Sequence, residues 1–217
     1  MDILEMHQMF RVLGQQMGLE RVRGILEESI DVYLNAAIQE TVSNVIKSNV
    51  QTVYKDKITI QDNPISPVNG VSTLYRESNF KVDSQSELGI TLTISDVLLL
   101  YAFSISYPGE TTYKDCRFIE PDRIGATLND YCSRASKQYP IITVVSVDEK
   151  NNRYVFRVFT GGSNYENIKV KYIKTPAVVS LEENVSCDLP QHLHKDIVEI
   201  AVQKYLTSVG STTQRVQ

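Results

Sequence analysis

The spacing of apolar residues predicts three long helices. Two lie in the first fifty residues, over residues 2–17 and from about Leu26 to Ser48, and the third follows Asp188, a candidate N-cap, and Pro190. In each stretch apolar residues recur at intervals of three and four, so they lie on one face of a helix. In the first helix this face is formed by Ile3, Met6, Phe10, Leu13 and Met17.

Between these helices the pattern changes to the shorter alternation of apolar and polar residues that is typical of β-strands. Turn residues such as Pro108-Gly109 and Gly161-Gly162 separate the candidate strands. A short helix is predicted near residues 121–133, because Pro121 suits the first turn of a helix. The candidate strands are residues 51–61, Val71–Tyr75, Gly89–Ile94, Val97–Tyr107, Tyr113–Ile119, Ile141–Val147, Arg153–Thr160 and Asn167–Ile173.

These elements predict an α+β protein in which a helical bundle carries a mostly antiparallel β insertion. The bundle would consist of residues 1–50, as a helix hairpin, and residues 188–210, because helices at both ends of a chain can share one core. Residues 51–187 would form the β-rich insertion. We expect Gly210 to end the last helix and residues 211–217, which are small and polar, to form a flexible tail.

Charge argues against a general nucleic-acid-binding module. The net charge is −4, whereas phosphate binding needs an excess of Lys and Arg. The balance is uneven, since basic residues dominate between Tyr139 and Lys174 and acidic ones dominate the first fifty residues. This asymmetry suits contact between copies of the chain, although solvated strand faces give the same pattern.

Cysteine usage and hydropathy predict a soluble protein from a reducing compartment. Cys116, Cys132 and Cys187 are widely spaced and odd in number, so they imply no disulfide framework. The N-terminus has no apolar run of the secretory type. The longest apolar run, Val97 to Phe103, is far too short to span a bilayer.

No motif in the sequence indicates catalysis, cofactor binding or metal binding. His192 and His194 are two residues apart, so on a helix their side chains point about 200° apart, whereas a helical zinc pair needs a spacing near four. Gly161-Gly162-Ser163 lacks the ending of a P-loop and joins two predicted strands, which favours a hairpin turn. We therefore predict no catalytic, cofactor-binding or metal-binding residues, and a protein that is not an enzyme.

Two stretches of the sequence resemble a known family, and the resemblance is more specific for the pair than for either stretch alone. The first is residues 1–10, MDILEMHQMF, followed by residues 30–38, IDVYLNAAI. The second is residues 170–181, VKYIKTPAVVSL, followed by residues 187–198, CDLPQHLHKDIV. Together they resemble a virion structural protein of the crAss-like tailed phages, which infect gut Bacteroidetes.

The resemblance implies a ring or adaptor protein of the head-to-tail connector. Such a protein is made in the host cytoplasm and binds beneath the portal as a closed ring of twelve copies, through which DNA passes. Its implied partners are further copies of itself, the portal protein and further connector or tail proteins. The resemblance implies no cofactor, no membrane and no sequence-specific nucleic acid. A helical bundle with a β insertion is the general adaptor architecture, which agrees with the predicted layout.

A ring of identical copies needs an interface that joins two different patches. The acidic helical start and the basic stretch Tyr139–Lys174 are candidates for these patches, and residues 62–70 and 211–217 are candidates for arms that order on assembly. The Met-rich face of the first helix suits either core packing or a partner. The predicted interface residues are Met6, Met9, Phe10, Met17, Arg153, Arg157, Lys169, Lys171, His192 and His194.

Three other functions remain open at this point. A tail-fibre or baseplate component would more often form trimers. A monomeric binding module would show no assembly that depends on concentration. An enzyme with an unrecognised site would have a deep polar cleft around His192 or Cys187.

Overall fold

The computed structural model describes residues 1–17, 24–55, 71–82 and 89–213. Within these ranges the chain forms four α-helices and seven β-strands. The helices are α1 (Ile3–Gln16), α2 (Glu27–Lys55), α3 (Ile124–Asn129) and α4 (Gln191–Thr213). The strands are β1 (Tyr75–Lys81), β2 (Ile90–Thr93), β3 (Val97–Ser106), β4 (Lys114–Phe118), β5 (Ile141–Asp148), β6 (Arg153–Phe159) and β7 (Asn167–Lys174).

The described residues divide into two compact units. The helical unit contains residues 1–17, 24–55, 71–74 and 176–213, and therefore α1, α2 and α4. The sheet unit contains residues 75–82 and 89–175, and therefore all seven strands and α3. None of the helices in the described ranges is both long and apolar enough to cross a membrane.

The predicted fold class, an α+β helical bundle with a β insertion, is wrong. The seven strands form one nearly closed sheet in the order β1-β7-β3-β4-β5-β6-β2, and this barrel-like sheet gives a mixed α/β fold. The sheet turns its apolar side chains inward around a core of its own. A sheet of this size with its own core is a principal part of the fold, whereas the prediction treated it as an appendage of the helices.

The helical unit follows from the apolar spacing of its helices. A capping box fixes the start of α1, because the Asp2 carboxylate accepts from Glu5 N–H at 2.7 Å and Glu5 accepts from Asp2 N–H at 3.0 Å. Helix α4 packs against both α1 and α2. Their buried apolar residues are Ile3, Met6 and Phe10 in α1, Ile30, Leu34, Ala37, Ile38 and Val42 in α2, and Ile197, Val198, Ala201 and Val202 in α4.

The sheet unit combines antiparallel pairs with one parallel pair. Strands β4 and β5 are parallel, which requires a long crossover, and residues 119–140 with α3 supply it. Strand β3 has register shifts between Val97 and Leu99 and between Leu100 and Ala102, which interrupt its regular pairing with β7. Residues at the centre of the sheet's core include Phe103, Ile105, Ile142, Phe156, Ile168 and Val170.

Several predicted boundaries need correction. Residues 51–55 continue α2 instead of starting a strand, and residues 72–74 form a 3-10 turn, so β1 begins only at Tyr75. Helix α4 runs through Gly210 to Thr213, and α3 is shorter than predicted. The predicted arm at residues 62–70 and the last residues of the predicted tail lie outside the described residues.

Gly89 occupies a backbone position that no other residue fits well. Its φ is +115°, and a Cβ atom there would lie 2.6 Å from the carbonyl oxygen of Phe156. We expect Gly89→Ala to lower the free energy of unfolding by at least about 2 kcal/mol, because it adds both strain and a clash with backbone. Urea unfolding followed by circular dichroism measures this change.

The matched control is Gly125→Ala in α3, where a new Cβ meets nothing within 4 Å. Removing a glycine from a helix is expected to be neutral or to stabilise by up to about 1 kcal/mol. Equal effects of the two substitutions would contradict the backbone geometry assigned to Gly89.

Candidate functional site

Residues 176–189 follow the last strand and contact α2, and we call this segment the strap. It includes a turn at residues 181–184 that is closed by a bridge between Ser180 and Val185. The side chain of Asn35 pairs with both backbone groups of Val179, donating to its carbonyl at 2.9 Å and accepting from its N–H at 2.8 Å. One turn earlier on α2, Asp31 Oδ2 accepts from Leu181 N–H at 3.0 Å. Two polar residues four positions apart on one helix face therefore pair with three backbone groups of the strap.

Asp31 also joins α1 to this arrangement. Its Oδ1 atom lies 2.7 Å from Nε2 of His7, and the His7 side chain is almost fully buried. Since Asp31 Oδ2 is taken by Leu181, both carboxylate oxygens of Asp31 have partners. His7 Nδ1 is buried and has no hydrogen-bond partner among the described residues. His7 is thus a core residue whose ring is oriented by Asp31.

The two histidines of α4 have different surroundings. His194 is buried, and its Nε2 lies 2.8 Å from the carbonyl oxygen of Leu189 at the end of the strap. His192 is exposed. They therefore lie apart, as their spacing predicts, and His194 has a structural role at the start of α4.

The Met-rich face of α1 is mostly core. Met6 and Phe10 are fully buried, and the Phe10 ring meets Tyr205 of α4 edge-on at 6.0 Å. Met9 is half-buried, whereas Met17 is 43% exposed. Of these four predicted interface residues, only Met9 and Met17 have surface to offer a partner.

The predicted basic patch is partly neutralised within the sheet unit. Lys169 forms an ion pair with Glu77 at 2.7 Å and lies over the Tyr113 ring, and Lys171 is opposite Glu77 in the pairing of β7 with β1. Arg153 is opposite Asp148, whose pKa is lowered chiefly by the Asn151 side chain and more weakly by Arg153. Acidic residues of the same chain therefore neutralise part of the positive charge of Lys169, Lys171 and Arg153. This weakens the electrostatic attraction of these residues for another chain.

Arg157 is the exception among the predicted basic residues. It lies opposite Thr143 in the pairing of β6 with β5. Its Nε atom and the Thr143 hydroxyl are buried, and neither has a hydrogen-bond partner among the described residues. The Arg157 side chain is therefore partly buried in the sheet unit, whereas its place in the basic stretch of the sequence suggested an exposed residue.

A cleft in the sheet unit was not predicted. It has a volume of about 390 Å³ and lies where the crossover between β4 and β5 meets the turn after β6. A Cβ on Gly161 would lie 2.9 Å from the carbonyl oxygen of Ala135, so the two walls approach closely and glycine is required there. The lining residues are Leu128, Arg134, Ala135, Val158, Phe159, Thr160, Gly161 and Gly162.

The surroundings of Cys116 and Cys187 do not activate a nucleophile. Burial raises the pKa of Cys116, which lies in β4, and burial also raises the pKa of Cys187 in the strap. A raised pKa leaves little thiolate at neutral pH, whereas a nucleophilic cysteine needs a lowered one. Cys132 is exposed. In the described part of the chain, no three His, Cys, Asp or Glu side chains group as a metal site.

The chain matches no protein-family model, and a search of curated proteins found no relative.

The Asp31 carboxylate gives a test of the strap network. We expect Asp31→Ala to lower the free energy of unfolding by about 3 kcal/mol, because it leaves buried His7 Nε2 and Leu181 N–H without an acceptor. Asn35→Ala should lower the free energy of unfolding by about 2 kcal/mol, because it leaves the N–H and the carbonyl of Val179 without their side-chain partner. The matched control is Glu182→Ala, which removes an exposed carboxylate of the strap and should change stability by less than about 0.5 kcal/mol. An Asp31 variant as stable as the control would contradict the network.

Thiol labelling tests the cysteine surroundings. At pH 8 a disulfide reagent should modify Cys132 fastest, Cys187 more slowly and Cys116 only as the sheet unit opens, because a raised pKa and burial both reduce the available thiolate. Cys132→Ser should remove the fast phase alone. Fast labelling of Cys116 in the folded protein would show that its position in β4 is wrong.

Proposed function

We propose that this chain is a structural subunit of a phage head-to-tail connector. Copies of it close into a ring between the portal and the tail, and the genome passes through the lumen. The observation that carries the proposal is the resemblance of both ends of the chain to connector proteins of this kind.

The residues behind that resemblance work together in the helical unit. Asp31 and Asn35 come from the first resembling stretch and bind Val179 and Leu181 of the second. His7, also from the first stretch, completes the contact through Asp31. The two resembling stretches are therefore far apart in sequence but in contact in the structure. This supports treating their resemblance to connector proteins as one shared structural feature.

Exposed apolar side chains supply surface for contact with other chains. Tyr131 is 80% exposed, Val178 72%, Leu26 69% and Val32 65%. Covering such a side chain contributes roughly 1.5–3 kcal/mol when it is fully removed from water. Single exposed apolar residues are ordinary on monomeric proteins. The support for the proposal is that strongly exposed apolar residues occur on both the helical unit and the sheet unit.

The bundle layout no longer supports the proposal, because the fold is built around a nearly closed sheet. The proposal rests instead on the chain ends and on the exposed surface. A ring requires two different patches on each copy and a rotation that closes. A net charge of −4 suits a conduit for DNA that does not grip phosphate.

Sedimentation velocity over a range of concentrations tests this function. We expect a monomer at low concentration and a single closed species near twelve copies at high concentration or in the presence of a portal protein. Raising the salt concentration should shift the equilibrium toward monomer, because exposed charges at the interface are screened. A stable trimer would favour a fibre or baseplate component. A monomer at every concentration, with or without portal, would contradict the proposal in favour of a binding module.

A further inference from the structure

The cleft in the sheet unit combines an apolar lining with one cation, and we call it the Arg134 cleft. Leu128, Val158 and Phe159 supply the apolar part and Arg134 the charge. Its volume of about 390 Å³ falls within the roughly 300–1,000 Å³ of pockets that take small ligands, so a leucine side chain has room there. The composition suits an apolar group that has a carboxylate beside it.

Arg134 has no acidic partner within the described residues. Its guanidinium lies over the ring of Tyr131 at 4.9 Å, and no described carboxylate lies within ion-pair distance of it. The nearest acid in sequence, Asp130, accepts from the Ser133 hydroxyl and from Cys132 N–H. An exposed arginine stacked on an aromatic ring is held in place and can still bind a carboxylate.

One wall of the cleft leaves room for a guest. Gly162, in the turn after β6, has a φ of +92°, and a Cβ there would meet nothing within 4 Å. Gly161 beside it is held against the Ala135 carbonyl. Gly161 is therefore fixed against the crossover, while the space beside Gly162 is open.

The helical unit presents a segment that matches this cleft. Leu26 is 69% exposed, and Glu27 and Glu28 follow it as exposed residues in the first turn of α2. Neither glutamate side chain has a hydrogen bond or an ion pair with another described residue. The Leu26 carbonyl accepts from Ile30 N–H at 3.2 Å, so the segment is anchored to the helix. A fixed apolar anchor loses little conformational entropy on binding.

We infer that the Arg134 cleft binds Leu26–Glu28 of a neighbouring copy of this chain. The Leu26 side chain enters the apolar part of the cleft, and a carboxylate of Glu27 or Glu28 pairs with Arg134. The cleft and the segment are different patches, so every copy can offer one to each neighbour, as a ring requires. The inference rests on the proposed function and names its contact surfaces.

Other guests fit the cleft less well. A small inorganic anion would meet Arg134 but would leave Leu128, Val158 and Phe159 exposed to water. Nucleic acid would meet one arginine on a chain whose net charge is −4, where binding needs several cations. A leucine followed by glutamates satisfies both the apolar and the charged parts of the cleft.

Charge reversal on each side separately tests the contact. We compare Arg134→Glu with the double variant Glu27→Arg, Glu28→Arg by sedimentation velocity and native mass spectrometry. Each variant alone should raise the concentration needed for half-assembly about tenfold or more, because like charges then face each other. A 1:1 mixture of the two should recover assembly, since each contact in an alternating ring again joins opposite charges.

Controls separate this contact from general effects. Lys81→Glu makes the same change in charge at an exposed position of β1, outside the cleft and outside the basic stretch Tyr139–Lys174, and should leave assembly unchanged. Leu26→Ser should weaken assembly without any change in charge. Circular dichroism melts establish that each variant is folded. If the double reversal disturbs the start of α2, Glu27→Gln with Glu28→Gln and Leu26→Ser provide the same test.

The outcomes distinguish the inference from the proposed function. Weakened assembly of both single-sided variants with recovery in the mixture would support the contact. If the unchanged protein forms rings and the reversals have no effect, or the mixture fails to recover, the inference is wrong while the ring function stands. If the unchanged protein never assembles, with or without portal, the proposed function falls and the inference falls with it.

Discussion

The helical unit depends on the two polar side chains that α2 presents to the strap. Asp31 and Asn35 satisfy the backbone of Val179 and Leu181, and Asp31 also binds buried His7 of α1. Backbone groups outside regular helices and strands need other hydrogen-bond partners when they are removed from water, and here side chains of α2 supply them. The strap can therefore lead into α4 at one defined position, which lets α4 pack against α1 and α2.

Local patterns predicted the helices better than the sheet. Residues 2–17 became α1 and the stretch after Pro190 became α4, because apolar spacing reports the buried face of a helix directly. The strands were mostly found, but their order depends on pairs far apart in sequence, such as β1 beside β7 and β4 parallel to β5. No local pattern encodes those pairs, so closure of the sheet was missed.

The same division applies to the candidate site. The spacing of His192 and His194 was enough to separate them, whereas Met6 and Phe10, which were predicted as interface residues, are buried in the core of the helical unit. The neutralisation of Lys169 by Glu77 required knowing that β7 lies beside β1. The spacing of Asp31 and Asn35 places them on one face of a helix and could have indicated a shared partner. The sequence did not identify the strap as that partner. The Arg134 cleft had no signal at all, since its walls come from the crossover and from the turn after β6.

In the proposed function, this chain is a building block whose surfaces bind other copies of itself. The most direct test of that claim is a cryo-electron microscopy reconstruction of the protein assembled with a portal. We expect a closed ring in which the sheet unit of each copy contacts the helical unit of the next, with every copy equivalent. A particle with back-to-back pairs of identical patches, or a portal that carries isolated single copies, would contradict it.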